Sequence, residues 1–362
     1  MKILLADKLH PRSIEAMKSL AGVEVFNQPG LSADDLSVQL KGVDVLIVRS
    51  TKVNAAAVAA ADKLGLIIRA GSGYNTIDVE GASAKGIYVA NCPGKNAVAV
   101  AELAVGLILA IERQLAENVY ELRAKRWDKG RFSKATGLKG KTVGIVGTGT
   151  IGQETIARLR PFGVRLVAWS RSLSDEQAEK LGVERCSNLR DLARQSDVVS
   201  LHLALTEDTK KLIGEEFLEA LQPGAILINT CRAEIVDERA LQVALFRGVK
   251  FGTDVFHNEP TGKDGVFESE VAQHLNTYGT HHIGASTDQA ELETGMEAFR
   301  IVEAFQGGQP IPNCVNLRNA PATGYALTVL HQDRVGVLAG VMVVLKEHGH
   351  NVQEMSNQIF AG

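Results

Sequence analysis

Glycines 147, 149 and 152 stand in the run Lys141-Thr-Val-Gly-Ile-Val-Gly-Thr-Gly-Thr-Ile-Gly152, a spacing whose chemistry is the binding of a diphosphate. The first glycine allows a tight turn, the second lets the backbone approach a pyrophosphate, and the third lets a helix pack closely on a strand. Thr150 and Ile151 fall where that helix begins, so phosphates would meet its positive end there. Alone the pattern is unspecific, because a Gly-rich turn in any α/β fold can produce it. Its frame narrows the reading: residues 142–146 form a short apolar strand pattern, 151–159 a helix stopped near Pro161, and 164–169 the next strand. In dinucleotide folds an acidic residue ends that second strand and accepts the ribose hydroxyls. Here Trp169-Ser-Arg-Ser172 places Ser170 in the acidic position, and Arg171 can pair with a 2′-phosphate. The site therefore predicts NAD or NADP, with these residues leaning towards NADP.

Strand patterns at 2–6, 23–26, 45–48, 66–69 and 88–90 alternate with amphipathic helical stretches, and a second such series runs from 142 to about 280. Such alternation predicts parallel sheets. The fold class is thus α/β, with two doubly wound, Rossmann-like parallel-sheet domains. An alanine-rich stretch over 97–117 reads as one long helix bridging them, and 286–306 as its return partner. The first domain is then discontinuous, residues 1–95 and 284–315, with the dinucleotide-binding domain, 96–283, inserted between. Asn96 opens the bridging helix as an N-cap or as a substrate contact. After Pro321 a short βαβ pattern follows, with strands at 325–330 and 351–359 and a helix at 335–346, giving a segment over 322–362 that is too small to bury a good core alone.

With 22% charged residues and a net charge of -3 over 362 residues, nothing favours nucleic acid or an anionic membrane as partner. Cys92, Cys186, Cys231 and Cys314 lack metal-ligand spacing and a disulfide pattern, so no metal is predicted and a reducing cytoplasm is the expected setting. The amino terminus meets Asp7 too early for a signal peptide, and the longest apolar run, 97–111, contains Glu102 and is too short to cross a bilayer.

Four further stretches join the glycine loop: Arg69-Ala-Gly-Ser-Gly-Tyr-Asn-Thr-Ile-Asp78, Asn229-Thr-Cys-Arg-Ala-Glu-Ile-Val-Asp237, Asp254-Val-Phe-His-Asn-Glu-Pro260 and His281-His-Ile-Gly-Ala-Ser-Thr287. Together they resemble the D-isomer-specific 2-hydroxyacid dehydrogenases over nearly the whole chain to about residue 315. Val48-Arg-Ser-Thr-Lys-Val53 and Arg69 resemble the anion-binding positions of the members that act on D-3-phosphoglycerate, which lean towards NAD. The tail, with His331-Gln-Asp-Arg-Val-Gly-Val-Leu338 and Asn351, resembles the first half of an ACT regulatory domain. It stops short of a full module, so the segment either belongs to a longer chain or completes its sheet across a subunit interface.

Oxidation of a 2-hydroxy acid needs a base for the hydroxyl proton and a cation to hold the carboxylate and polarise the C2 oxygen. The resemblance assigns these roles to His282 and Arg232, with Glu259 fixing the tautomer of His282 and raising its pKa. Taken singly, Arg232 could cap a strand and Glu259 and His282 could be loop residues; their joint occurrence inside family motifs argues otherwise. His281 stands where the family has proline, and His202 at a strand end is a weaker rival base. Asp254 resembles the aspartate that receives the nicotinamide carboxamide. Ser72 and Gly73 lie in a Gly-rich turn whose amides can cradle the substrate carboxylate. Arg49, Lys52 and Arg69 supply three cations, more than a small carboxylate needs and suited to a phosphate. The implied activity is NAD(P)-dependent oxidation of a phosphorylated 2-hydroxy acid by a homodimer or homotetramer. Glyoxylate or hydroxypyruvate reduction is the enzymatic alternative, and a dinucleotide-sensing corepressor of the same fold is the non-enzymatic one.

Overall fold

Short apolar strands, each followed by a helix, build the chain from Lys2 onward. The computed structural model describes residues 1–260, 265–317, 327, 329, 334–352 and 355. The first sheet comprises β1 (Lys2–Leu5), β2 (Glu24–Asn27), β3 (Val45–Val48), β4 (Leu66–Arg69) and β5 (Tyr88–Asn91), all parallel in the order β2-β1-β3-β4-β5. Central β3 reads Val-Leu-Ile-Val and is buried at every position, as a strand covered on both faces must be.

The second sheet is also parallel throughout. It comprises β6 (Thr142–Val146), β7 (Arg165–Trp169), β8 (Glu184–Arg185), β9 (Val198–Leu201), β10 (Ile226–Asn229), β11 (Lys250–Thr253) and β12 (Thr277–Gly279). Their order is β12-β11-β10-β9-β6-β7-β8. The edge strands β8 and β12 carry no apolar run and have no signal in the sequence pattern. In both sheets strand order reverses beside the first strand, between β1 and β3 and between β6 and β9. Ligands in open α/β sheets bind outside the carboxyl ends of the strands at such switch points, so Asp7, Arg49, Gly147 and His202 stand at the two places to inspect.

The helix Ala97–Arg113 lies on the second sheet, where Ala104, Ile108 and Ile111 share a buried cluster with Val143, Ile145, Ile156 and Leu159. The expectation of one helix over 97–117 is corrected: Gln114 takes a left-handed backbone (φ 49°), and a second helix, Leu115–Arg123, starts after it. Asn118 helps to close the break: its backbone amide (3.0 Å) and its Nδ2 (2.8 Å) both donate to the Gln114 carbonyl, and Nδ2 also donates to the Arg113 carbonyl at 3.2 Å.

The return helix Asp288–Gln306 is capped by Thr287, whose hydroxyl accepts from the Ala290 amide at 3.2 Å. It packs on the helix Pro11–Lys18 and on β4, burying Ala298, Ile301 and Val302 with Ile3, Leu5, Met17, Leu66 and Ile68. Complete burial of each large aliphatic side chain there contributes about 1.5–3 kcal/mol. This packing supports, as a proposal, the division into 1–95 with 284–315 and an inserted 96–283. Residues Met1–Val315 form one compact unit and Asn316–Gly362 a second. In the second unit the helix Val337–Glu347 is described, while the strand expectations at 325–330 and 351–359 lie largely outside the described residues. Among the described residues no helix is long and apolar enough to cross a membrane.

Candidate active site

The glycine loop is dictated by close approach. Gly147 has φ 97°, and a Cβ there would run into the His202 carbonyl; a Cβ on Gly152 would run into the carbonyl of Gly147. Gly149 is different, since a Cβ on it would meet nothing within 4 Å. It precedes the helix Thr150–Leu159, so the open space lies before the free amides of a helix start that includes Thr150 and Ile151. A tight turn, a close helix and a clear cradle at a positive helix end fit a dinucleotide diphosphate. At the end of β7, Ser170 is half-buried, and exposed Arg171 donates to Asp208 at 3.0 Å.

His202 is not a base in this arrangement. Its Nε2 lies 2.9 Å from Ser200 Oγ, and burial pushes its pKa down to about 4, so the ring stays neutral.

Glu259 and His282 meet across the loops that follow β11 and β12. Glu259 Oε2 lies 2.7 Å from His282 Nδ1, and Glu259 Oε1 accepts from the Phe256 amide at 2.8 Å. Burial works to raise the Glu259 carboxyl, but His282 and the Phe256 amide outweigh it and hold it below the ordinary value. The same hydrogen bond raises the pKa of His282, with burial and the charge of Arg232 opposing. A carboxylate only accepts, so Nδ1 carries the proton and Nε2 is the nitrogen left for a substrate. His282 has φ 54°, a left-handed conformation uncommon for a side-chain-bearing residue.

Asp254 holds that conformation. It is buried, its Oδ1 accepting from Thr280 Oγ1 (2.6 Å) and the Ile283 amide (2.8 Å), and its Oδ2 accepting from the Gly284 amide (2.7 Å). The expected contact with a nicotinamide carboxamide thus has competition: both oxygens already brace the segment that carries His282, and Oδ2, with one donor, keeps an accepting position. An Asp254→Asn variant keeps the shape but turns an NH2 towards one of these donors. It should lose about 1.5–3 kcal/mol of unfolding free energy in urea titration, and an unchanged midpoint would remove Asp254 from this bracing role.

Arginines arrive from both sheets at the loop after β4. The guanidinium of Arg69 folds over Gly71, where any Cβ would strike its Nη1, and Arg232 Nη2 lies 2.6 Å from where a Cβ on Gly73 would be. Arg232 is placed by the turn after β10. Its Nη1 donates to the Cys231 carbonyl at 2.7 Å, while Asn229 donates to the Arg232 carbonyl at 2.9 Å and accepts from the Cys231 amide at 3.1 Å. Asn96 stands at the N-cap position of its helix as expected, but its side chain makes no capping hydrogen bond and instead accepts from Ser72 Oγ at 3.1 Å. Burial, with the charges of Arg232 and Arg49, lowers the pKa of Arg69 to about 10, and its buried Nε has no hydrogen-bond partner among the described residues. Three cations held this close form a site that an anion would stabilise. Lys52 is exposed and lies outside the lining of the cavity formed by Arg49, Arg69 and Asn96.

Several residues of this site escaped sequence reasoning. Asp7 follows β1 and its Oδ2 accepts from the amides of Arg49, Ser50 and Thr51 at 2.7–2.9 Å. Lys8, His10 and Glu291 line the cavity beside Arg49 and Arg69. The signal for Asp7 and Lys8 was their position just past the first strand of a doubly wound sheet; Glu291 gave none without the helix packing.

Comparison with known proteins then bears on what this geometry serves. The family model described as "D-isomer specific 2-hydroxyacid dehydrogenase, NAD binding domain" matches residues 105–284. D-3-phosphoglycerate dehydrogenase of Methanocaldococcus jannaschii is 35% identical over 358 residues, 98% of this chain and 65% of that protein. Hydroxypyruvate reductase of Thermotoga maritima is 37% identical over 299 residues, 82% of this chain and 95% of that protein. The solved structure of NAD+-bound 3-phosphoglycerate dehydrogenase from Entamoeba histolytica superposes with a TM-score of 0.72 at 28% identity, covering 88% of this chain and 99% of that one. The chain therefore spans under two thirds of the length of the archaeal relative it matches almost end to end.

Proposed function

This chain belongs to the D-isomer-specific 2-hydroxyacid dehydrogenases, and from that membership we propose that it oxidises D-3-phosphoglycerate to 3-phosphohydroxypyruvate, the first step of serine synthesis. The observation that carries the substrate is the convergence of three guanidinium groups: Arg49 and Arg69 line one cavity, Arg69 folds over Gly71 and Arg232 over Gly73, and the charges of Arg232 and Arg49 add to burial in lowering the pKa of Arg69 to about 10. A 2-hydroxy acid with one carboxylate needs a single guanidinium fork; a phosphorylated one presents two anionic groups. Arg232, with the Ser72–Gly73 turn, holds the carboxylate and C2 oxygen, and Arg49 and Arg69 hold the phosphate, with Lys52 at the outer edge. His282 Nε2 takes the hydroxyl proton in oxidation and returns it in reduction, while Glu259 stabilises the imidazolium between. Bound at the glycine loop, NAD or NADP supplies the acceptor for the hydride that leaves C2. Exposed Tyr120, Leu122 and Trp127, at 67%, 57% and 81%, support a homodimer or larger homo-oligomer as the working form.

A second reading, hydroxypyruvate or glyoxylate reduction, has its own support. The Thermotoga relative carries that name over nearly its full length, and Ser170 with Arg171 suits NADPH. The deciding measurement is kcat/KM for phosphohydroxypyruvate, hydroxypyruvate and glyoxylate, each with NADH and NADPH. The phosphorylated substrate should lead by about tenfold or more, the discrimination that one added charged contact supplies. Indifference to the phosphate would replace the first reading with the second. NADPH should be accepted, since Arg171 is free to exchange Asp208 for a 2′-phosphate; strict exclusion of NADPH would show that Ser170 and Arg171 do not read the ribose.

A further inference from the structure

Where the first sheet reverses strand order, Arg49 is already engaged. Its Nη1 lies 2.7 Å from Glu291 Oε1, both side chains being a little over a quarter exposed (29% and 28%). The pair spans a cavity that Lys8, His10, Arg69 and Asn96 also line. The amides of residues 49, 50 and 51 are taken from an incoming anion, because Asp7 accepts from all three. The guanidinium is what remains, and Glu291 holds it.

We infer that Glu291 is a built-in counter-anion that competes with the substrate's distal anionic group for Arg49, and so limits the preference of the site for phosphorylated over unphosphorylated acids. The inference rests on the reading of Arg49 as a phosphate-binding residue. Glu291 lies in the first turn of the 19-residue helix Asp288–Gln306, where the helix dipole favours a carboxylate with or without Arg49. Asp288 in the same turn faces His10 Nε2 at 3.4 Å, so one helix end sets two acids against two basic groups of the first sheet's switch point. A phosphate must displace Glu291 from Nη1 or lie beside it against like-charge repulsion. A hydroxymethyl tail does neither and leaves the pair intact. The burden therefore falls on the phosphorylated substrate alone and enters through its KM, since the reaction moves no proton at either residue of the pair. Glu291 acts through Arg49 and is a positioning residue for specificity.

The test is the ratio of kcat/KM for phosphohydroxypyruvate to that for hydroxypyruvate, read on the same preparation so that any loss of folded protein cancels. Glu291→Gln keeps the shape and a hydrogen-bond acceptor while removing the charge; it should raise the ratio about tenfold, mostly by lowering KM for the phosphorylated substrate. In an Arg49→Gln background the same change should leave the ratio where Arg49→Gln put it. A ratio that is unchanged or lower in Glu291→Gln, with Arg49→Gln having lowered it, overturns the inference and leaves the phosphate reading standing. A ratio unmoved by Arg49→Gln overturns the phosphate reading and this inference with it.

Discussion

A His282→Ala variant is expected to lose about 10²- to 10⁴-fold in kcat in both directions, the usual worth of a positioned general acid–base group, while His281→Ala loses little. The two side chains are neighbours and both are exposed, so position in the sequence does not separate them. Geometry does: His282 Nδ1 is tied to Glu259 Oε2 at 2.7 Å, which fixes the tautomer and aims Nε2 outward. Glu259→Gln should then shift the pH profile rather than abolish activity. The Glu259 hydrogen bond is the largest influence raising the His282 pKa. Oxidation needs His282 neutral, so its rate climbs as pH rises through that raised pKa; reduction needs it protonated, so its rate falls over the same interval. Removing the carboxylate lowers the pKa and moves both limbs to lower pH. Profiles of kcat/KM in each direction check the sign, and limbs that stay in place or move upward would separate Glu259 from the proton chemistry. A larger loss in His281→Ala than in His282→Ala would reassign the base.

What could be read in advance follows the range of the physics involved. The glycine loop was legible because its steric constraints fall on a fixed spacing within one turn: a Cβ on Gly152 would strike the Gly147 carbonyl, and one on Gly147 would strike the His202 carbonyl that the fold brings in after β9, so both positions must be glycine. The central strands were legible because burial on both faces forces runs such as Val45-Leu-Ile-Val48. Strands β8 and β12 were not, since an edge of two or three residues is held by hydrogen bonds to its neighbour and needs no apolar pattern. The break at Gln114 escaped for a related reason. The sequence 97–117 is good helix throughout, and Asn118, beyond its end, makes the left-handed turn affordable. At the site, Arg232, Glu259 and His282 were found through motifs, whereas Asp7 and Glu291 act only through partners 42 to 242 residues away in the chain. Long-range hydrogen bonds and ion pairs of that kind leave no periodicity to detect.

Arg232 is where the second large effect is expected, and its argument joins activity to stability. Arg232→Lys should reduce kcat/KM by about 10²- to 10³-fold, the loss seen when a donor to a developing oxyanion is removed. Lysine keeps the charge, but one ammonium cannot donate to the Cys231 carbonyl and also present a planar fork over Gly73, as Nη1 and Nη2 of Arg232 do. Both kinetic constants should suffer, KM because the carboxylate loses its bidentate partner and kcat because negative charge growing on the C2 oxygen loses a fixed donor. Stability should move the other way in Arg232→Gln. Arg232 is the first of the like charges that disfavour the charged form of Arg69, itself largely buried and with no hydrogen-bond partner for its Nε among the described residues. Deleting that repulsion should leave the thermal midpoint of the ligand-free protein unchanged or higher even as activity collapses, the pattern of a residue kept for function against the interest of the fold. Added phosphate should stabilise the native protein by occupying the cluster, and should do so less in Arg232→Gln. A variant that loses activity and thermal midpoint together would instead make Arg232 a structural tie between the two sheets, and the role of substrate fork would pass to Arg69.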